Sequence, residues 1–385
     1  MKYLLIIFII VSCSQKSNKL KDNYLAGMQF RLDTVIVNPG DEIIFLNQDI
    51  QSASLSNDKK YLYNFNPNDH TFEKVNLDAL QLEEKISFEK EGPNGTGDFF
   101  GGLRILNSNE FTISTINWLA LFSLDGTRIK KINYEGFFLE NNPIRSGTLS
   151  FISTYLDSDA SRFFALLGQE MDKLYSLGVF NLDDYSYRKI PIPSFDGIYD
   201  YKFNLQFGPS SISFGPKLSM VLSESRLIFS NQLLNELSIY DMQGDSMYVK
   251  EYSSHLTENK KVNKYQQDHE SEEILVEEFT RFHQEINFLP PFWDEKNQVF
   301  YRFSFQELPA NSENGVLARS DIYLSVLDKD LNLIGEALVP DLRKKPATLF
   351  SNLFPRHFAK DGKIWIYENI NDEMGFVILS ITNQY

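Results

Sequence analysis

The sequence predicts an all-β fold, a six-bladed β-propeller with one helical insertion. Three observations carry that prediction: a strand-and-turn pattern that returns six times, β-rich runs between its copies, and an aromatic content of 14%, which suits flat sheet-on-sheet packing. The pattern is apolar-x-apolar-aromatic followed by a polar turn. Its copies begin at Leu62, Leu119, Leu177, Leu237, Leu324 and Ile364, at intervals of 57, 58, 60, 87 and 40 residues that average about 60. Seven blades are the alternative, because the 87-residue interval has room for a degenerate one.

The chain opens on a secretory signal. Lys2, the nine apolar residues Tyr3 to Val11, Ser12 and Cys13 give a charged start, a core too short to span a bilayer as a mature helix, and a small residue before cysteine. The run Ile10-Val11-Ser12-Cys13 resembles the lipobox of bacterial lipoproteins, so residues 1–12 are expected to be removed and Cys13 to carry the lipid that meets the membrane. Cys13 is the only cysteine. Once it is lipidated, disulfides, thiolate metal sites and cysteine nucleophiles are excluded. Loss of Lys2 leaves 36 basic against 52 acidic side chains, a net charge of −16. A surface that negative repels polyphosphate, and no basic stripe is interleaved with aromatics, so nucleic acid is not an expected partner. Residues 13–28 are expected to be a lipidated tether, because Ser14 to Asn23 is polar and has no apolar period.

Residues 29–385 are expected to form the propeller. Each copy reads as a strand, a turn of Asp, Asn or Gly, and a second strand such as Phe72 to Val75, Arg128 to Ile132, Tyr187 to Ile190 or Leu333-Ile334. These pairs would be the two outer strands of each blade. Phe111 to Ser114, Phe163 to Leu167, Leu227 to Phe229 and Val299 to Phe303 would be inner strands. A four-stranded blade buries both faces only against neighbouring blades. The strand near Phe30 to Val37 is expected to close the ring by pairing beside Gly375 to Ile381.

The long interval holds one helix. From Asp268 to Leu289 the apolar residues Leu275, Phe279, Phe282, Ile286 and Leu289 recur at spacings of 4, 3, 4 and 3, one face of a 3.6-residue period. Acidic residues crowd its start, where the helix dipole favours them, and Pro290-Pro291 stops it. Residues 253–289 read as an insertion, separable from the ring, whose apolar stripe lies on the propeller; the alternative is a stripe that docks a partner.

Phe88-Glu-Lys-Glu-Gly-Pro-Asn-Gly-Thr-Gly97, Phe300-Tyr-Arg-Phe303 and Phe358-Ala-Lys-Asp-Gly-Lys-Ile-Trp-Ile366 resemble segments of an uncharacterised lipoprotein family of Bacteroidota, domain of unknown function 4221. The resemblance implies a propeller-like fold and an envelope location, and no catalytic residue comes with it. Surface-exported lipoproteins of that group resemble one another in an acidic run just after the cysteine. That run is absent here, which points to the periplasmic face of the outer membrane.

Few constellations carry chemistry. Glu91-Gly-Pro-Asn-Gly-Thr-Gly97 is followed by Asp98-Phe99-Phe100 instead of a helix with a Lys, so a tight loop is expected in place of a phosphate cradle. His269, Glu272 and Glu273 share a helix without an H-E-x-x-H arrangement, and no metal is expected. Asp183-Asp184 reads as a turn pair bonding to backbone. The remaining candidates are polar groups inside apolar segments: Tyr301 and Arg302 in Phe300-Tyr301-Arg302-Phe303, and Arg356 and His357 in Leu353-Phe354-Pro355-Arg356-His357-Phe358. A guanidinium there must be paired or line a wet channel, so the four are ligand-binding candidates against the alternative of a salt bridge between blades.

These observations predict a monomeric, lipid-anchored binding or scaffold protein without a cofactor, whose partner is an envelope protein or a glycan. The alternative is an envelope enzyme acting on carbohydrate or as a quinoprotein. Two carboxylates, or a His with a carboxylate, at the tunnel mouth would favour the enzyme. A lining of Arg, Tyr and Asn without such a pair would favour binding.

Overall fold

A computed structural model describes residues 23–97, 101–139, 142–144, 150–157, 159–169, 173–309 and 320–383. Cys13 lies outside the described residues. The fold is all-β, and the strands Leu62, Phe163 and Leu227 begin to spell out are apolar at consecutive positions because both their faces are covered. In Arg162–Gln169, Phe163, Ala165 and Leu167 point to one side and Phe164 and Leu166 to the other, and all five are buried.

Six antiparallel sheets follow one another along the chain. Sheet I is Ser54–Leu55, Tyr61–Asn66, Thr71–Asn76 and Gln81–Ser87, and sheet II is Gly102–Ile105, Glu110–Ser114, Trp118–Ser123 and Arg128–Asn133. Sheet III is Ser150–Leu156, Arg162–Gln169, Leu174–Asn181 and Tyr187–Pro191, and sheet IV is Leu218–Ser223, Arg226–Asn231, Glu236–Asp241 and Ser246–Glu251. In sheet V, Asn287–Phe288 and Phe292–Asp294 both pair with Val299–Glu307, which continues to Ser320–Leu327 and Leu333–Leu338. Sheet VI is His357–Lys360, Lys363–Ile370 and Glu373–Asn383, completed by Met28–Ile36 from the start of the chain. The register there pairs Phe30 with Ile381 and Ile36 with Gly375, so the two segments expected to pair do so.

Some hairpin turns take conformations that their residues favour. Gly126, Asp245, Gly362 and Asn371 have positive φ. Asn181 Oδ1 accepts from the Asp183 amide and Asp184 Oδ1 from the Ser186 amide, both at 2.9 Å, so Asp183-Asp184 is a turn pair.

Six apolar clusters each join two sheets. Leu62 and Val75 of sheet I pack with Trp365 and Phe376 of sheet VI, and Phe65 and Phe72 of sheet I with Phe111 and Phe122 of sheet II. Leu119 of sheet II meets Phe163 of sheet III, and Phe164 and Leu177 of sheet III meet Phe229 and Tyr240 of sheet IV. Ile228 and Leu237 of sheet IV face Phe300 and Leu327 of sheet V, whose Phe303 and Val326 pack with Ile364 and Leu379 of sheet VI. Every sheet therefore has its two faces in two different clusters. Burying one such Phe or Leu side chain is worth about 1.5–3 kcal/mol.

Four expectations change in the structure. The copies at Leu119, Leu177, Leu237 and Leu324 are third strands, but those at Leu62 and Ile364 are second strands, one place earlier in their sheets. That offset explains the short last interval: the third strand of sheet VI is Glu373–Asn383. The expected tether ends before Asn23 instead of at residue 28. The Tyr24 amide donates to the Ile334 carbonyl at 2.8 Å and Leu25 is 4% exposed. Gly335 permits this approach, since a Cβ there would stand 2.8 Å from Asn23 Oδ1 and 3.1 Å from the Leu25 nitrogen.

The helix runs over Glu272–Gln284, shorter than expected, because strand pairing claims both its flanks. Asp268-His269 pairs in parallel with Asn204-Leu205, and Asn287-Phe288 pairs antiparallel with Ser304-Phe305. Its stripe faces inward: Leu275, Phe282, Ile286 and Leu289 are buried and Phe279 is half-buried. Residues 253–289 are consequently woven into the core, not a separable insertion. Lys261, buried among them, donates to the Phe282 carbonyl at 2.5 Å and to Asn287 Oδ1 at 3.0 Å. Among the described residues the 87-residue interval contributes no further four-stranded sheet.

Candidate functional site

The first strands of successive sheets converge. Those of sheets I and II touch, as do those of III and IV and of V and VI. Side chains fasten them: the Ile105 amide donates to Ser54 Oγ at 3.0 Å, Asn57 Nδ2 to the Leu106 carbonyl at 2.7 Å, and the Tyr155 hydroxyl to the Met220 carbonyl at 2.6 Å. Where sheets I, II and III meet the segment leading into sheet VI, they line a half-open cavity of about 320 Å³. Arg104, Tyr155, Asn57, Ser153 and Arg356 line it. Gly102 belongs to the wall for a steric reason, since a Cβ there would stand 2.8 Å from Ser114 Oγ.

The two guanidiniums are the unusual feature. Arg104 stacks on Tyr155, 3.7 Å from guanidinium carbon to ring centroid, and its buried Nη1 has no hydrogen-bond partner. Arg356 Nη1 donates to one carbonyl, that of Gln51, at 3.2 Å. Among the described residues no carboxylate pairs with either. Burial lowers both pKa values, that of Arg356 to about 10, with only Tyr155 opposing the shift at Arg104. Part of each side chain nevertheless remains open to the cavity.

The other three candidates lie elsewhere. Tyr301 is 1% exposed within the cluster between sheets V and VI, its hydroxyl accepting from Asn297 Nδ2 at 3.2 Å. Arg302, on the opposite face of the same strand, fastens sheet V to sheet IV: Nε donates to the Leu289 carbonyl at 2.9 Å and Nη1 to Asn235 Oδ1 at 2.9 Å. Its acceptors are neutral oxygens, so the expected salt bridge is replaced by hydrogen bonds. His357 is caged by Phe292, Phe303 and Phe354, with ring centroids 4.9 to 5.3 Å apart, and donates through Nδ1 to the Pro355 carbonyl at 2.8 Å. Burial pushes its pKa down to about 4, with Arg356 adding to the shift, so it is neutral at pH 7. Of the four, Arg356 alone lines the cavity.

Arg104 and Tyr155 escaped the sequence reading. The available signal was Leu103-Arg104-Ile105, an arginine between apolar residues, the same signal that singled out Arg302.

Larger hollows exist, and several of the charges that line them are paired. In a groove of about 610 Å³ between sheets I and II, Lys74 bonds Glu83 and Glu84 at 3.0 Å; in one of about 780 Å³, Lys360 bonds Asp78 at 2.6 Å and Asp361 at 2.8 Å. The segment Glu91 to Gly97 is a loop closed on itself, with the Thr96 amide donating to the Glu89 carbonyl at 2.9 Å. Among the described residues no three His, Cys, Asp or Glu side chains come together as a metal site. No helix among them is long and apolar enough to cross a membrane.

The sequence model of DUF4221, a domain of unknown function, matches residues 27–338. The crystal structure of a DUF4221 member from Bacteroides vulgatus is similar with a TM-score of 0.63 at 17% identity, over 94% of this chain and 100% of its own, a likeness of fold. A protein from Bacteroides fragilis described as exported has a TM-score of 0.48 at 8% identity, with 95% and 98% covered. Hydrazine synthase from Kuenenia stuttgartiensis has one of 0.40 at 11% identity, with 86% and 82% covered. Neither of these two bears on activity. No curated protein matches the sequence.

Proposed function

The chain belongs to the DUF4221 family, a domain of unknown function, and from that premise we propose that it is a six-bladed β-propeller, held in the cell envelope by lipid on Cys13, that binds a ligand in its central cavity without transforming it. The observation that carries the binding reading is the cavity lining: Arg104, Arg356, Tyr155, Asn57 and short hydroxyls, with neither two carboxylates nor a His beside a carboxylate among the described residues. Such a surface can hold and orient a polar molecule. A glycosidase of the usual kind needs a carboxyl pair flanking the bond it cleaves.

Six sheets in chain order, six clusters that each join neighbouring sheets, and a first strand that completes the last sheet support the propeller reading. The lipobox residues Ile10 to Cys13 support the anchor, and the absence of an acidic run after Cys13 supports the periplasmic face of the outer membrane. Nine residues separate Cys13 from the packed Asn23. Even fully extended they reach only about 30 Å, so the propeller stays close to the bilayer.

Native mass spectrometry of the lipoprotein purified in detergent from its own envelope tests the reading. The expected result is one small molecule per chain, recovered unchanged on denaturation and missing from Ser153→Trp, which fills the cavity. A cavity that is empty in both proteins, or a molecule that is converted with time, would overturn it.

A further inference from the structure

The molecule shows how it treats a buried cation that serves structure. Arg302 is given the Leu289 carbonyl and Asn235, Lys261 the Phe282 carbonyl and Asn287, and Lys344 the carboxylate of Glu307 at 2.5 Å. Each cation has acceptors on the protein that offset part of its desolvation.

Arg104 departs from that pattern. Its Nη1 is buried without a partner, no carboxylate pairs with it among the described residues, and its flat face rests on Tyr155. With one face covered and Nη1 buried, the part of the guanidinium that lines the cavity is what can meet its contents. A second guanidinium, Arg356, reaches the same 320 Å³ space with one carbonyl contact. Two positive groups line one pocket, and among the described residues no carboxylate lines it with them. Their chemical complement is an anion.

We propose, resting on the binding reading above, that the central cavity is a site for a small hydroxylated organic acid whose carboxylate is held by Arg104 and Arg356 together. A planar carboxylate matches the fork of a guanidinium, which can donate two parallel hydrogen bonds to it. The hydroxyl of Ser153 and the amide of Asn57 suit the hydroxyls of such an acid. A volume of about 320 Å³ lies at the small end of ligand sites, which sets the scale at a single sugar acid or a molecule of that size.

Calorimetric titration of the full lipoprotein in detergent tests this with sodium glucuronate, citrate, acetate, sulfate and inorganic phosphate, and with glucose as the neutral comparator. The expected result is saturable one-to-one binding of a carboxylate, no binding of glucose, and roughly tenfold or greater weakening in Arg104→Gln and in Arg356→Gln. Arg104→Lys and Arg356→Lys should recover part of the affinity, because they keep the charge and lose the fork. Without ligand, each Gln variant should melt at or above the wild-type temperature, since it removes a cation that lacks a carboxylate partner. A lower melting temperature in both would show a structural role and overturn the inference.

Silence of the whole anion panel, binding limited to sulfate and phosphate, equal binding of glucose, or Gln variants that bind as well as wild type would also overturn it. Ser153→Trp separates this failure from failure of the binding reading. If the envelope-derived molecule is neutral and Ser153→Trp still expels it, the anion inference falls and the cavity remains a binding site. If no molecule is retained and the anions are silent, both readings fall.

Discussion

The guanidinium of Arg104 lies 3.7 Å from the centroid of the Tyr155 ring, and the Tyr155 hydroxyl donates to the Met220 carbonyl at 2.6 Å. One side chain thus holds an arginine of sheet II while tying sheet III to sheet IV. The two roles can be separated. Tyr155→Phe keeps the stack and loses the hydrogen bond, for an expected cost of about 0.5–1.5 kcal/mol. Tyr155→Leu also loses the cation–π contact, a further cost of about 0.5–2 kcal/mol. Urea unfolding of the three proteins should rank them in that order, and equal midpoints for the two variants would remove Arg104 from the account.

Closure of sheet VI should be global in its effect. The strand Glu373–Asn383 is hydrogen-bonded to Met28–Ile36 on one edge and to Lys363–Ile370 on the other, while Phe376 and Leu379 enter two different clusters. Truncating residues 376–385 is expected to abolish the cooperative unfolding transition of the whole protein. A truncated protein that retained a sharp transition, with only local loss of protection in hydrogen exchange, would contradict this.

The inward stripe of the helix makes a quantitative prediction. Phe282 is 1% exposed and packs on Phe203, with Lys261 Nζ 4.0 Å from its ring centroid, so Phe282→Ala should cost about 3–5 kcal/mol. Half-buried Phe279 should cost less. Replacing residues 253–289 by a Gly/Ser linker should unfold the protein, because it removes the Leu289 acceptor of Arg302, the Asn287–Phe305 pairing and the buried Leu275 at once. Circular dichroism of the linker variant decides this; a folded spectrum with a sharp melt would restore the view of a separable insertion.

Two histidines make the fold sensitive to acid. Burial pushes His283 down to about 3, with Lys261 and Lys344 adding to the shift, and His357 down to about 4. Above the unfolded value of about 6.5 both are neutral in either state and their contribution is complete. As the pH falls below 6.5 the unfolded chain binds protons that the folded chain refuses, so stability falls until the folded pKa values are reached. Between pH 7 and pH 5 each should remove about 2 kcal/mol. Urea midpoints across that range should drop for wild type and drop less for His357→Gln.

Lipidation of Cys13 is tested by metabolic labelling with a fatty acid. The wild type should be labelled and Cys13→Ser should not, and the variant should partition as soluble after detergent phase separation. Equal membrane retention of both would contradict the anchor.

Much of this was legible in the residues because it depends on local chemistry. Short apolar and aromatic runs followed by Asp, Asn or Gly turns mark the strands, and the expected pairing of Phe30 to Val37 with Gly375 to Ile381 is the one that completes sheet VI. The helix period places Leu275 and Phe282 on the buried side. Where its ends fall was not legible, because Asp268-His269 and Asn287-Phe288 are claimed by partners distant in sequence.

The arginines show the division most plainly. Arg104 and Arg302 look alike in sequence, each flanked by apolar residues in a strand that alternates, and local pattern assigns them the same status. What differs is what the rest of the chain brings to them. Arg302 meets Asn235, 67 residues away, and the Leu289 carbonyl, while Arg104 meets a tyrosine face and an open cavity that Arg356 also lines. The cost of burying a guanidinium depends on the acceptors within hydrogen-bond reach. Those acceptors come from other sheets, so tertiary packing alone decided which arginine fastens two sheets together and which lines a cavity.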